Sequence, residues 1–128
     1  MSWLSLLLII KVGVTSVLVV LPFLFLPKFK LEKATKITAP APTFFRLYGV
    51  ALLALLVGYS FGIPYAENNI FPWGVVCMGL VSNGGAALLL LSSRTTKQNI
   101  ILGVFFALVT LALVIAAVVP ETALQKIW

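Results

Sequence analysis

Few side chains in this 128-residue chain could do chemistry, and those few are scattered through long apolar runs. Lys11 stands between Ile10 and Val12, Cys77 is the single cysteine, and Ser82 and Asn83 interrupt another apolar stretch. Glu32, Glu67 and Glu121 are the three acidic side chains, and the chain has no histidine. Catalysis needs a positioned acid, base, nucleophile or metal, and within the apolar runs only Lys11 and Cys77 qualify. No metal-ligand or phosphate-loop spacing occurs, and the usual axial ligand of haem is missing. The chain therefore reads as a non-enzyme without a dedicated cofactor, although contact with an apolar lipid, quinone or carotenoid is open to it. Cys77 reads as a small buried hydrophobe.

Apolar residues make up 62% of the chain and charged ones 9%, against roughly a quarter charged in a soluble domain. A small globule exposes much of its chain and would need more polar residues than this. Lipid is the fitting solvent. Four runs, near 4–26, 45–63, 72–92 and 99–119, reach the length of about 20 helical residues that a hydrocarbon layer requires. None alternates in polarity as a barrel strand would. The first lacks a basic n-region and is interrupted by Lys11, so it reads as a span and not a cleaved signal. Thr43 and Asn99 are candidate caps for the second and fourth spans, and Pro72 fits the first turn of the third. Pro27, Pro64 and Pro120 are candidate stops. The fold class is all-α, a single four-span membrane domain over residues 1–128, with helices running up and down as an antiparallel bundle.

Lysine and arginine set the orientation. The first link, 27–44, holds Lys28, Lys30, Lys33 and Lys36, with Arg46 just beyond it. The third holds Arg94 and Lys97, the second none, and the tail only Lys126. Links one and three are then cytoplasmic and both termini outside, in an inner or plasma membrane. Trp3, Tyr65, Trp73 and Trp128 fall near the outer interface, where amphipathic rings are favoured. The net charge of +6 thus marks topology, and no nucleic-acid partner is expected. With Phe29, Leu31 and Ile37 among them, the four link lysines also suit contact with anionic lipid or a cytoplasmic partner. Ala39-Pro40-Ala41-Pro42 reads as a stiff, extended spacer.

Lys11 admits two readings. Its side chain could snorkel toward its own N-terminus and the outer headgroups. Alternatively it could pair within the membrane with Glu67, Glu121, the terminal carboxylate, or an acidic group of a lipid or partner subunit. Ala54, Gly58 and Gly62 recur every fourth residue, as do Gly79, Asn83 and Ala87, and each set suits close helix approach within the chain or against a partner. Asn83 cannot satisfy both donors and its acceptor on its own helix, so it is the first candidate for an interhelical hydrogen bond. Ser82 can bond the carbonyl one turn back.

Phe45-Arg46-Leu47-Tyr48-Gly49 resembles the Arg-x-x-Gly start of the second helix in DoxX-like and ergosterol-biosynthesis scaffold proteins. That resemblance implies a non-catalytic membrane scaffold and transfers Arg46 and Gly49 as packing residues. The function expected is an accessory or scaffold subunit of a larger membrane complex, packing against other integral subunits, lipid or pigment. A small oligomeric transporter or carrier of a hydrophobic or anionic molecule is the alternative. A cysteine introduced at Ala34 should resist an impermeant thiol reagent in intact cells and one at Ala66 should react; the opposite pattern would contradict the orientation.

Overall fold

A computed structural model describes residues 1–36, 38, 41–93 and 96–127. Ile37, the Ala39-Pro40 part of the spacer, Arg94 and Trp128 lie outside the described residues. The described chain is helical, with one isolated antiparallel bridge, Ser2 to Lys126. Four helical segments are long and apolar enough to cross a membrane: Trp3–Phe25, Pro42–Glu67, Trp73–Ser92 and Lys97–Val118.

The first segment is built in three parts: α1 (Trp3–Thr15), a widened π turn (Ser16–Val20) and α2 (Leu21–Phe25). The widening falls just before Pro22, whose ring cannot sit against the carbonyl four residues earlier in a regular helix. Link one contains α3 (Lys28–Thr35), a two-turn helix. It forms because Leu31, 3% exposed, packs with Phe45 and Phe23 while Lys30 and Lys33 face outward. The longer helices are α4 (Pro42–Glu67), α5 (Trp73–Ser93) and α6 (Lys97–Val118), and α7 (Pro120–Ala123) closes the chain.

Several ends differ from the sequence expectation. Helix α4 begins with Pro42 in its first turn and Ala41 at the cap, so Thr43 lies inside it. Pro64 does not stop that helix, which runs on to Glu67. A proline so near the end removes one backbone bond, and the turn re-forms with the Asn68 amide donating to the Pro64 carbonyl at 3.1 Å. Thr96, not Asn99, caps α6: its hydroxyl accepts from the Asn99 amide at 3.0 Å. The Asn99 side chain instead donates to the Thr35 carbonyl at 3.0 Å, tying the start of α6 to the end of α3. Pro72 precedes α5 and accepts its first bond, from Val76 at 3.0 Å. Pro120 follows the end of α6 as expected and opens α7.

The first and second segments pack as one pair and α5 with α6 as another; the pairs meet where α4 touches α5 and α1 touches α6. Leu4, Leu8, Tyr59, Val76 and Leu113, each at most 1% exposed, form the centre of that junction. Outward faces carry Phe61, Val81, Leu108 and Val118, all more than half exposed, a surface suited to lipid. Cys77 is exposed there too, so it is not a buried hydrophobe.

The two small-residue rows behave differently. A four-residue step overshoots a full turn by about 40°, so a row of such steps winds around its helix. In the first row Ala54 is exposed, Gly58 faces Met78, and Gly62 is buried between Val75 and Leu8. Ala54 is thus not part of a contact face within the chain. Gly79, Asn83 and Ala87 are all buried. Ala66 is fully buried, so the labelling position expected to react moves from it to the exposed Ile70, in a Cys77→Ser background.

A β-carbon on Gly79 would lie 2.6 Å from Leu113 Cδ1 and 3.2 Å from the Tyr59 ring, whereas one on Gly85 would meet nothing within 4 Å. Gly79→Leu should therefore lower the thermal stability of the detergent-solubilised protein, by about 1–3 kcal/mol or more. Gly85→Leu should leave it unchanged, and equal melting of the two variants would contradict this packing.

Candidate functional site

Polar groups collect in three places. At one end, Glu67 joins the termini to the end of α4. Its carboxylate accepts from the Ser2 amide at 2.9 Å and lies 3.2 Å from Lys126 Nζ and 3.6 Å from the Met1 amine. Ser2 caps α1 through its hydroxyl, and the Ile127 amide donates to the Met1 carbonyl at 2.7 Å. At the other end, Arg46 reaches the close of α2, donating to the carbonyls of Phe23 at 2.8 Å and Leu26 at 2.6 Å. The Phe23 carbonyl would ordinarily take the amide of residue 27, which is a proline and has none. Three residues along α4, Gly49 lets α2 close in: a β-carbon there would lie 2.9 Å from Leu24 Cδ2. Arg46 and Gly49 together fasten the first segment to the second.

The third collection lies between the helix pairs. Lys11 is only 5% exposed. Its ammonium donates to Thr15 Oγ1 at 2.9 Å and stands 4.6 Å from the centre of the Phe106 ring, with Tyr59 and Phe105 at 5.6 and 5.8 Å. Thr15 is one turn further along α1, so the side chain leans toward the helix C-terminus. That is the reverse of snorkelling. Glu67 is not its partner either, because it is held at Ser2, nine residues or roughly 14 Å away along the helix. Nor is Glu121, exposed on α7 beyond the fourth segment. Among the described residues, hydroxyl and aromatic faces stand where the pairing expectation put Glu67 or Glu121; the terminal carboxylate, on Trp128, lies outside the described residues. Cation–π contacts of this kind are worth about 0.5–2 kcal/mol, more when desolvated.

Beside Lys11, Tyr59 of α4 meets α5 through two hydrogen bonds. Its hydroxyl exchanges one with Ser82 Oγ at 2.6 Å and accepts one from Asn83 Nδ2 at 2.9 Å. Asn83 also donates to the Gly79 carbonyl at 2.8 Å, while Ser82 is 3.5 Å from that carbonyl and bonds Tyr59 far more closely. Gly79 lets the Tyr59 ring approach α5.

These groups line a cavity of about 260 Å³, with Lys11, Thr15, Tyr59, Ser82 and Asn83 on its polar side. A second cavity, of about 390 Å³, extends from it toward Thr35 and Asn99. The two share Tyr48, Ala86, Leu89 and Phe106, so they form one cleft, with Lys11 and its polar neighbours at one end, Thr35 and Asn99 toward the other, and mainly apolar walls between. Helices α4 and α5 touch directly at Gly58 with Met78 and Gly62 with Val75; the cleft opens between them beyond Tyr59, where Tyr48 and Leu89 are exposed.

The structure thus brings Lys11 and Asn83 to one cleft and sets Gly79 beside Tyr59, while Ala87 packs with Val19 and Phe106 and does not line the cleft. Gly58 and Gly62 pack elsewhere, and Ala54 is exposed. Lys30, Lys33 and Lys36 are exposed around α3, and Lys28 pairs with Glu32 at 3.5 Å. Sequence reasoning missed Thr15 and Phe106. Thr15, four residues after Lys11, was within reach of a helical-spacing argument; Phe106 was not, being 95 positions away on another helix. No family model, curated protein or solved structure matches the chain, so its assignment rests on this geometry.

Tyr59→Phe would remove the bonds that Asn83 and Ser82 make to α4, leaving both only the Gly79 carbonyl, and should cost about 1–2 kcal/mol of stability. Chemical unfolding in detergent checks this, and an unchanged midpoint would show that the network contributes nothing.

Proposed function

We propose that the protein is a non-catalytic accessory or scaffold subunit of a larger membrane complex, which holds a lipid-soluble molecule in the cleft between its helix pairs. The observation that carries this reading is the cleft itself: a polar recess at Lys11, Tyr59, Ser82 and Asn83 continuing into an apolar groove between α4 and α5. Pockets of a few hundred Å³ with a few convergent polar groups in apolar walls are the usual form of small-molecule sites. The four helices form an antiparallel bundle with both termini outside and α3 at the cytoplasmic face of an inner or plasma membrane. The lysines of link one support that orientation, as do Trp3, Tyr65 and Trp73, all half exposed and near the Glu67 end.

At the cytoplasmic face, Lys30, Lys33 and Lys36, with the exposed Phe29, engage anionic lipid headgroups. The outward apolar faces meet lipid and neighbouring subunits. Arg46 and Gly49 fasten helices, which suits the scaffold implied by the DoxX-like resemblance. The carrier reading draws its own support from one feature, the buried cation of Lys11 facing the cleft.

A photoactivatable alkyl probe, added to native membranes, should label peptides containing Tyr48, Ala86 and Leu89 above the level of lipid-facing Val81 and Leu108. Ala86→Trp, which fills the cleft, should abolish the excess and spare the lipid-facing labels. Even labelling, insensitive to Ala86→Trp, would contradict a ligand-holding cleft.

A further inference from the structure

We infer that the molecule held in the cleft is a single-chain lipid acid, its carboxylate at Lys11 and its hydrocarbon chain along the groove past Ala86 and Leu89. The inference rests on the cleft-binding reading above and adds the ligand's charge and shape.

Charge comes first. Lys11 is more than nine-tenths buried, and none of the chain's three glutamates opposes it. Glu67 is taken up by Ser2, Lys126 and the Met1 amine, Glu32 by Lys28, and Glu121 lies exposed on α7. A cation within a spanning segment pairs with an opposite charge or with carbonyls, or faces a cavity or substrate path, and Lys11 faces the cleft with no carboxylate beside it among the described residues. One of the ammonium's three donors goes to Thr15, and the faces of the aromatic rings offer no hydrogen-bond acceptor to match a carboxylate. Because the hydrogen between Tyr59 and Ser82 can sit on either oxygen, the Tyr59 hydroxyl can turn to donate to an incoming oxygen while Ser82 donates to it. An ammonium beside a phenol is a donor set for a carboxylate.

Shape comes second. The polar recess, about 260 Å³, is of a size for a small head, and the groove leading from it, about 390 Å³, has mainly apolar walls that suit one hydrocarbon chain. Neutral amphiphiles of the same length fit the groove but leave the ammonium without its anion.

The test uses the full chain in nanodiscs of neutral lipid, with palmitate, hexadecanol and a short-tailed quinone as probes, read by native mass spectrometry and competition. Wild type should bind palmitate at least about tenfold more tightly than hexadecanol, equivalent to about 1.4 kcal/mol. Lys11→Gln should erase that preference while still binding the alcohol, Lys11→Arg should keep it, and Ala86→Trp should exclude both probes. Equal binding of acid and alcohol by wild type, or tighter binding of the quinone, would overturn the lipid-acid assignment and leave the cleft's role standing. Failure of every probe to bind would overturn both.

Discussion

Hydrocarbon offers no hydrogen-bond partners, so each polar atom in a spanning helix must find one within the protein. Among the described residues, no buried side-chain nitrogen or oxygen lacks a hydrogen-bond partner. The solutions are economical. Ser16, Ser60 and Thr110 each return a hydroxyl to the carbonyl one turn back. Where a proline removes a donor, as at residue 27, the guanidinium of Arg46 takes its place. Where one helix alone cannot satisfy a side chain, two helices are drawn together, and the Tyr59, Ser82 and Asn83 cluster does this between α4 and α5.

The same constraint explains how the pairs are joined. Lipid supplies no hydrophobic drive between helices, so association depends on close packing and polar contacts. Glycines at 49, 62 and 79 permit the close approach, and Glu67 with its partners holds the termini to the end of α4. Between these fixed points α4 and α5 are left apart, and the cleft occupies the gap. Lys11 sits at its deep end. Its hydroxyl and ring contacts soften the burial of its charge without neutralising it.

The spans were legible in the sequence because length and hydropathy are set directly by the bilayer. Their ends were less so. Pro64 was read as a stop because proline is costly inside a helix, but in a last turn it removes a single bond. Helix α3 was hidden because its one buried residue, Leu31, needs Phe23 and Phe45 to pack against. A four-residue repeat does not reveal which of its members face a neighbouring helix: Gly79, Asn83 and Ala87 are all buried, whereas Ala54 is exposed. Asn83 was legible from its donor count; its partner Tyr59, 24 positions away, was not. For Lys11 the sequence reported a buried charge and left its surroundings open, since Phe106 and Tyr59 come from other helices.

The central claim is that Lys11, which pairs with no carboxylate among the described residues, is kept for a ligand and not for the fold. Thermal or chemical unfolding of ligand-free Lys11→Met against wild type tests this most directly. Replacing an unpaired buried charge with an apolar side chain of similar length should leave stability unchanged or raise it. A loss of about 3–5 kcal/mol, the cost of abandoning a buried partner anion, would contradict the account and return Lys11 to a structural ion pair.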